Sequence, residues 1–254
     1  MKKNLMVLVI TVLLILNLSI ITMAEDTFQI SAGYNAFNND LAISYSGLEI
    51  ADINTPNNMY TVKLGYNPNE WLSLNAMYSW GTTDLFSLIE DLIVVDQKNS
   101  IAQVEGALKW KINDKFTLAC LLGYSKNKTT AELNAVGGII TGDLKTELSG
   151  FYLGPELIYT PNDRFEGGIA YRYMIDPDID LSGSAQILIW DFSFGPVNMN
   201  DPKYSSLEVY VKSALSENWN LKGSYTYTWN EFSYENIKVD QHNRGLSLLL
   251  EYEF

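Results

Sequence analysis

Residues 219–230 read WNLKGSYTYTWN, and this stretch decides the fold. One parity holds Trp219, Leu221, Gly223, Tyr225, Tyr227 and Trp229; the other holds Asn220, Lys222, Ser224, Thr226, Thr228 and Asn230. The first set is apolar or aromatic apart from its glycine, and the second is polar throughout. A helix of 3.6 residues per turn would scatter both sets, whereas a strand keeps them on opposite faces. The segment is therefore a strand with two unlike faces.

The same alternation recurs outward along the chain. Leu246, Leu248, Leu250, Tyr252 and Phe254 share one parity, as do Phe165, Gly167, Ile169, Tyr171 and Tyr173, and Tyr60, Val62, Leu64 and Tyr66. Tight-turn clusters precede several of these strands. They are Asn67-Pro68-Asn69-Glu70 before Trp71, Ile112-Asn113-Asp114-Lys115 before Phe116, Pro161-Asn162-Asp163-Arg164 before Phe165, and Ser216-Glu217-Asn218 before Trp219. Asn, Asp and Pro favour turn dihedrals or bond their own backbone. Four tight hairpins plus a strand at each end predict about ten strands, near 27–37, 59–67, 71–80, 100–111, 116–126, 146–159, 165–175, 204–215, 219–233 and 244–254. Long connections are expected at 38–58, 81–99, 127–145, 176–203 and 234–243.

Composition narrows the function classes. The chain has 254 residues, 17 Lys+Arg against 30 Asp+Glu, one His and one Cys, and a formal charge of −13. That sign opposes phosphate neutralisation, so no nucleic-acid partner is expected. One cysteine permits no internal disulfide, and one His with one Cys falls short of the roughly four N/S ligands of a structural zinc site. No pattern calls for a cofactor. At the N-terminus, Lys2 and Lys3 precede an apolar run from Leu5 to Ile21, then Thr22-Met23-Ala24. This has the form of a secretory signal, residues 1–24, cleaved after Ala24; an uncleaved membrane anchor is the alternative. Removing the leader leaves 230 residues, 25–254, and moves the charge to −15.

Alternation alone does not say which face meets protein and which meets lipid. Strands of 10–12 residues fit tilted membrane strands of about 9–11 residues better than soluble ones of about 5–6. Aromatics gather at strand ends, with Trp71, Phe116, Phe165 and Trp219 near the short turns and Tyr227 and Trp229 near a long loop, as two lipid-headgroup girdles require. Tight turns lie on one edge and long loops on the other. The expected fold is all-β, a transmembrane antiparallel up-and-down β-barrel of about ten strands, closed because unpaired backbone groups in hydrocarbon each cost several kcal/mol.

The alternating end Leu246, Leu248, Leu250, Tyr252, Phe254 resembles the terminal-strand signal of the bacterial outer-membrane β-barrel superfamily. That resemblance covers the whole mature chain. It implies residence in the bacterial outer membrane, outer-membrane lipid as surroundings, and the barrel-assembly machinery as a partner reading Leu250, Tyr252 and Phe254. A monomer is expected.

The parity facing away from lipid carries Lys63, Glu105, Lys109, Lys111, Glu156, Glu166, Arg172, Glu208, Lys212, Lys222, Glu251 and Glu253. Ten strands leave little more than a filled interior. These charges form either a polar core that keeps the sheet closed or a narrow solute path. The long connections are unexpectedly apolar, as in Leu85-Phe86, Val136-Gly137-Gly138-Ile139-Ile140 and Ile187-Leu188-Ile189-Trp190. They are either strand extensions packed as a cap or a vestibule for a lipophilic ligand. Asp176, Asp178 and Asp180 alternate and, on one strand face, could hold a hard cation such as calcium; a solvated acidic edge is the other reading. Cys120 shares the lipid parity.

Asp240-x-His242 resembles the catalytic pair of the omptin proteases, ten-stranded outer-membrane barrels, although that family carries the pair earlier in the chain. The expected function is non-enzymatic: a narrow channel or facilitator for small solutes, apolar ones included. The alternatives are a non-conducting structural or adhesin-like barrel and an omptin-like rim protease.

Overall fold

The computed structural model describes residues 27–88, 93–135, 140–187 and 190–254. The leader 1–24 lies outside them, as do residues 89–92, 136–139 and 188–189. The described strands are β1 (Thr27–Tyr45), β2 (Leu48–Asn69), β3 (Leu72–Leu88), β4 (Ile93–Lys111), β5 (Phe116–Ala135), β6 (Ile140–Asn162), β7 (Phe165–Ile187), β8 (Trp190–Asn198), β9 (Asn200–Ala214), β10 (Trp219–Tyr234) and β11 (Ile237–Glu253).

Every sequential neighbour pairs antiparallel except β8 with β9, and β1 pairs with β11 from Gln29↔Glu253 to Tyr45↔Ile237, closing the wall. β8 and β9 together occupy one position in that wall. The lower part of β7, Phe165–Tyr173, pairs with β9, and its upper part, Asp180–Ile187, pairs with β8. The barrel is thus ten-stranded, with β8 as an added segment above β9. Closure pairs the backbone groups that an open sheet would expose to lipid.

Strand lengths correct the sequence reading. The segments expected as long connections are largely strand: β1 runs on to Tyr45 and meets β2 at Leu48 through a two-residue turn, Ser46 (φ 50°) and Gly47 (φ 84°). This matches the positive-φ hairpin turn that glycine favours. Pairing continues above the lipid because each strand keeps its partner. Hydrophobic alternation fades there because the outer face turns from lipid to water.

Exposure is inverted relative to a soluble sheet. Leu246 and Leu248 are 66% and 56% exposed, whereas Ser31, Thr61, Ser79 and Glu251 are at most 2% exposed. The apolar parity faces out and the polar parity faces the lumen. Ring pairs in contact, some stacked and others tilted or edge-on, form two belts on the outer wall. Phe28–Tyr66, Phe116–Tyr159 and Trp219–Tyr252 lie at the short-turn end; Tyr34–Tyr60, Tyr78–Trp80, Tyr124–Phe151 and Tyr227–Trp229 lie at the other. Along β10, Trp219 and Trp229 are ten residues apart. At ~3.3 Å per residue and a tilt of ~40°, that is ~25 Å of height, the thickness of the apolar band of an outer-membrane barrel. Trp71 and Phe165 also point outward at the short-turn end, and Cys120 is exposed on the outer wall.

Inside, long side chains alternate with small ones. Ala107, Ala119, Leu121 and Ala170 form one buried cluster. Three inward rings lie over glycines of neighbouring strands: Phe37 over Gly245, Tyr152 over Gly123 and Tyr210 over Gly168, where an added Cβ would come within 2.6 Å of ring atoms. Absence of a side chain at these sites lets bulky rings lie against the wall without filling the lumen.

Candidate functional site: the lumen

The barrel interior is layered. At mid-height an ionic crossbar spans it from β4 through β7 to β9 and β10. Arg172 Nε donates to Glu105 Oε2 at 2.7 Å, and Arg172 Nη1 donates to Glu208 Oε2 at 3.0 Å. Lys222 Nζ donates to the other oxygen, Glu208 Oε1, at 2.9 Å. Tyr152 OH donates to Glu105 Oε2 at 3.0 Å and accepts from Gln103 Nε2 at 2.6 Å. Lys222 also sits 4.1 Å over the Tyr210 ring. The crossbar side chains are mostly buried, with Arg172 at 16% and Glu105 at 11% exposure. Such pairs hold only when hydrogen bonds satisfy the remaining donors and acceptors, and here most of them are satisfied.

Below the crossbar, toward the short turns, lies a second ionic layer. Lys212 contacts Glu253 at 3.2 Å and Glu251 at 3.8 Å, and Gln29 Nε2 donates to Glu251 Oε2 at 2.7 Å. Tyr210 OH donates to Glu166 Oε1 at 3.4 Å, and Lys109 lies in the field of Glu166 and Glu156.

Above the crossbar is a chamber of about 220 Å³. Hydroxyls and carboxamides dominate its wall, including Asn35, Asn57, Thr61, Ser79, Ser125 and Thr228, and the crossbar charges with Lys63 form its floor. Asn35 Nδ2 donates to Thr61 Oγ1 at 2.5 Å, and Thr61 and Ser79 share a hydrogen bond of 2.6 Å. On the β6–β7 side, Leu148, Tyr152, Met174 and Ile179 pack together with Met199, Tyr204 and Phe232 against them, so the upper lumen has one apolar flank.

The structure places the remaining sequence candidates elsewhere. Lys111, on the inward parity, instead lies at the barrel end and pairs with Glu70 at 2.9 Å, both groups largely exposed; the strand stops there, so parity no longer carries its side chain inward. Asp176, Asp178 and Asp180 do not share one regular face. Asp176 adopts φ 47° at a bulge opposite Gly150, after which Asp178 pairs with Ser149 and Asp180 with Glu147. An extra residue at a bulge resets side-chain parity, which sequence alternation cannot foresee. Among the described residues, no group of three or more His, Cys, Asp or Glu is arranged to hold a metal ion.

Asp240 and His242 do not face the mouth. β11 turns Gly245, Leu249 and Glu251 inward, so the even positions face out. His242 stacks on Tyr227 with ring centroids 5.9 Å apart, its Nδ1 3.0 Å from Tyr227 OH, and Asp240 pairs with Lys238 at 3.2 Å. The pair is part of an outer wall in which Tyr171 and Trp229 also join.

Above the upper belt the outer wall carries matched charges. Lys98 pairs with Glu132 at 2.7 Å, Lys126 with Glu147 at 2.5 Å and Arg244 with Asp40 at 2.6 Å. There Asp143 accepts from Lys145 Nζ at 2.7 Å and from Ser184 Oγ, and the two donors hold its carboxyl below the ordinary carboxylate range.

Sequence reasoning named the crossbar charges but missed Tyr152 and Gln103 as their companions. Their inward parity was the available signal.

The family model for the outer membrane protein beta-barrel domain matches residues 10–209. No curated protein sequence matches the chain. Among solved structures, the outer membrane protease OmpT from Escherichia coli superposes with a TM-score of 0.67 at 11% identity, covering 90% of this chain and 96% of that one. The COG4313 outer membrane channel from Pseudomonas putida F1 gives 0.44 at 12% identity, covering 91% and 97%. The Pseudomonas putida toluene transporter TodX gives 0.40 at 10% identity, covering 93% and 90%. At such identities the likeness to OmpT is one of fold.

Proposed function

Because the chain belongs to the outer membrane protein beta-barrel domain family, we propose that it is a narrow conduit for small hydrophilic solutes, closed at mid-height by the Arg172 crossbar. One observation carries this reading: among the described residues, the polar chamber descends to a floor made of side chains, with Lys63, Glu105, Arg172, Glu208 and Lys222 in its lining. Side chains rearrange on fast timescales without unfolding the wall. The lining favours hydrophilic cargo over the apolar solutes also considered, since an apolar solute would desolvate hydroxyls and ions without replacing their hydrogen bonds. Export through residues 1–24, assembly through Leu250, Tyr252 and Phe254, and a monomeric state in outer-membrane lipid belong to the same proposal.

Planar-bilayer recording of refolded protein tests it. Wild type should give small, discrete current steps, and Arg172→Met with Glu105→Gln should enlarge them by opening the crossbar. Silence in both, with insertion confirmed by heat-modifiable gel migration, removes the conduit. A surface-interaction barrel is the second reading, favoured by strands that extend past the upper belt with matched outward charges. The outward placement of Asp240 and His242 does not favour an omptin-like protease.

A further inference from the structure

We propose that the free edge of β8, with the notch beneath it, takes an extended basic segment of a partner protein as an added strand. β8 pairs with the upper part of β7, and its other edge pairs with no strand among the described residues. β10 offers it none, because the pairing of β10 with β9 stops at Ser233↔Asn200, below β8. The wall therefore has a gap above Asn200. An antiparallel strand bonds its two neighbours through alternate residues, so alternate backbone groups along 191–195 point into that gap. Pro196 removes one donor at the lower end, and β8 carries no Lys or Arg to blunt the rest. Such an edge is a template for another strand.

The side chains around the gap set the chemistry of the partner. Phe192 pairs with Ala185, which shares its parity on β7 with the buried Ile179, so Phe192 faces inward. Phe232 packs against the same inner cluster, and Tyr234 and Ile237 share its face. Phe192 is 57% exposed, and Tyr234 and Ile237 are each 38% exposed. A strand laid between β8 and β10 would cover these side chains with every second residue. Charge decides the other parity. Asp180, Asp191, Asp201 and Glu235 make no ion pair within 4.0 Å among the described residues. The notch, about 260 Å³ between the top of β9 and the β10–β11 turn, holds Asp201, Glu231 and Glu235 against Lys203 and Lys238, and both lysines already contact Glu231. The surplus is negative, so the incoming strand is basic on its water-facing side. A second copy does not suit the edge, since another β8 would bring only another Asp191. Strand addition draws affinity from backbone bonds and selectivity from alternate side chains. None of this depends on whether the barrel conducts.

The test is fluorescence anisotropy of a dye-labelled peptide in which Lys and Val alternate over about eight residues, an ordinary strand length. It is added to refolded barrels in zwitterionic lipid nanodiscs. Wild type should bind it saturably, above empty nanodiscs. A peptide of the same composition with all Lys before all Val should bind about tenfold more weakly, and Glu in place of Lys should abolish binding. Phe192→Asn should weaken binding about tenfold, as loss of one buried aromatic contact does, and Asp191→Asn with Asp201→Asn about threefold. Leu133→Asn, at an exposed apolar position on β5, should leave it unchanged. Heat-modifiable migration checks the fold of each variant. Equal binding of the two peptide orders, or of wild type and Phe192→Asn, overturns strand addition and leaves only an acidic rim. No binding above empty nanodiscs overturns it outright. A dimeric wild type beside a monomeric Phe192→Asn gives the edge to a second copy and overturns it as well.

Discussion

Replacing Arg172 by Met removes the centre of the crossbar, and the structure sets how the loss divides. Arg172 gives two hydrogen bonds to Glu105, at 2.7 and 3.4 Å, and one to Glu208 at 3.0 Å. Glu208 keeps Lys222 at 2.9 Å after the change, so it remains paired. Glu105 keeps only the Tyr152 hydroxyl at 3.0 Å and becomes a buried carboxylate without a cation. Breaking a buried pair from one side costs about 3–5 kcal/mol, chiefly through the charge left behind. Most of that cost should therefore sit on Glu105. Adding Glu105→Gln removes the stranded charge while keeping a group that can bond Tyr152. The double variant should return to within ~1.5 kcal/mol of wild type, a coupling of order 2–3 kcal/mol, near the top of the range for contacting residues. The assay is equilibrium urea unfolding of refolded barrels in lipid vesicles, followed by tryptophan fluorescence. If Arg172→Met costs under ~1 kcal/mol, or the two changes simply add, the crossbar is not the coupled unit described.

Four other outcomes follow. Leu248→Arg, on the lipid face midway along β11, should cost ~2–4 kcal/mol in vesicles, whereas the same change at a rim position costs ~0–1; a neutral Leu248→Arg would place that face in water. Gly168→Ala puts a Cβ 2.5 Å from the Tyr210 ring and meets nothing else as close, so it should cost ~1–3 kcal/mol by overpacking, and much less in a Tyr210→Leu background; equal cost in both backgrounds refutes the ring-on-glycine account. Lys98→Ala removes an ion pair whose side chains are 55% and 45% exposed, and unfolding midpoints should show a change of ~1 kcal/mol or less. Phe254→Ser should lower the folded fraction recovered from cells, read by heat-modifiable migration, more than it lowers refolding in vitro, and equal losses in both would assign Phe254 a purely structural role.

The barrel was legible because its deciding signal is local. The period-two split in 219–230 follows from strand geometry and survives any arrangement of neighbours. The ring belts were legible for the same reason, since Trp219 and Trp229 mark the ends of one lipid-crossing strand. What stayed hidden depends on events that leave little trace in the sequence. The bulge at Asp176 shifts every later side chain in β7 to the opposite face. The outward turn of His242 depends on register with Trp229 and Asp40, set by β10 and β1. Strand length above the lipid was underestimated because alternation is a signal of unequal environments, and those environments become equal once both faces are wet.

The polar interior also has a cause outside the folded barrel. A lumen filled with leucine would make each strand apolar on both faces, and such runs approach the length and hydropathy of segments that stop in a membrane as helices. Alternation keeps the mean hydropathy at −0.04, so the chain can pass through water before it meets lipid. The cost appears after closure, when a dozen charged or hydrogen-bonding side chains are confined in a narrow space and each needs a partner. Arg172, Glu105, Glu208, Lys222 and Tyr152 meet that demand among themselves, so their presence needs no ligand to explain it. The unmet demand falls on neutral groups instead: Ser31 Oγ, Asn57 Oδ1, Asn99 Nδ2, Asn230 Oδ1 and Asn243 Oδ1 are buried without a protein partner. Closure therefore pairs the charges first, because a stranded ion costs far more than a stranded hydroxyl or amide.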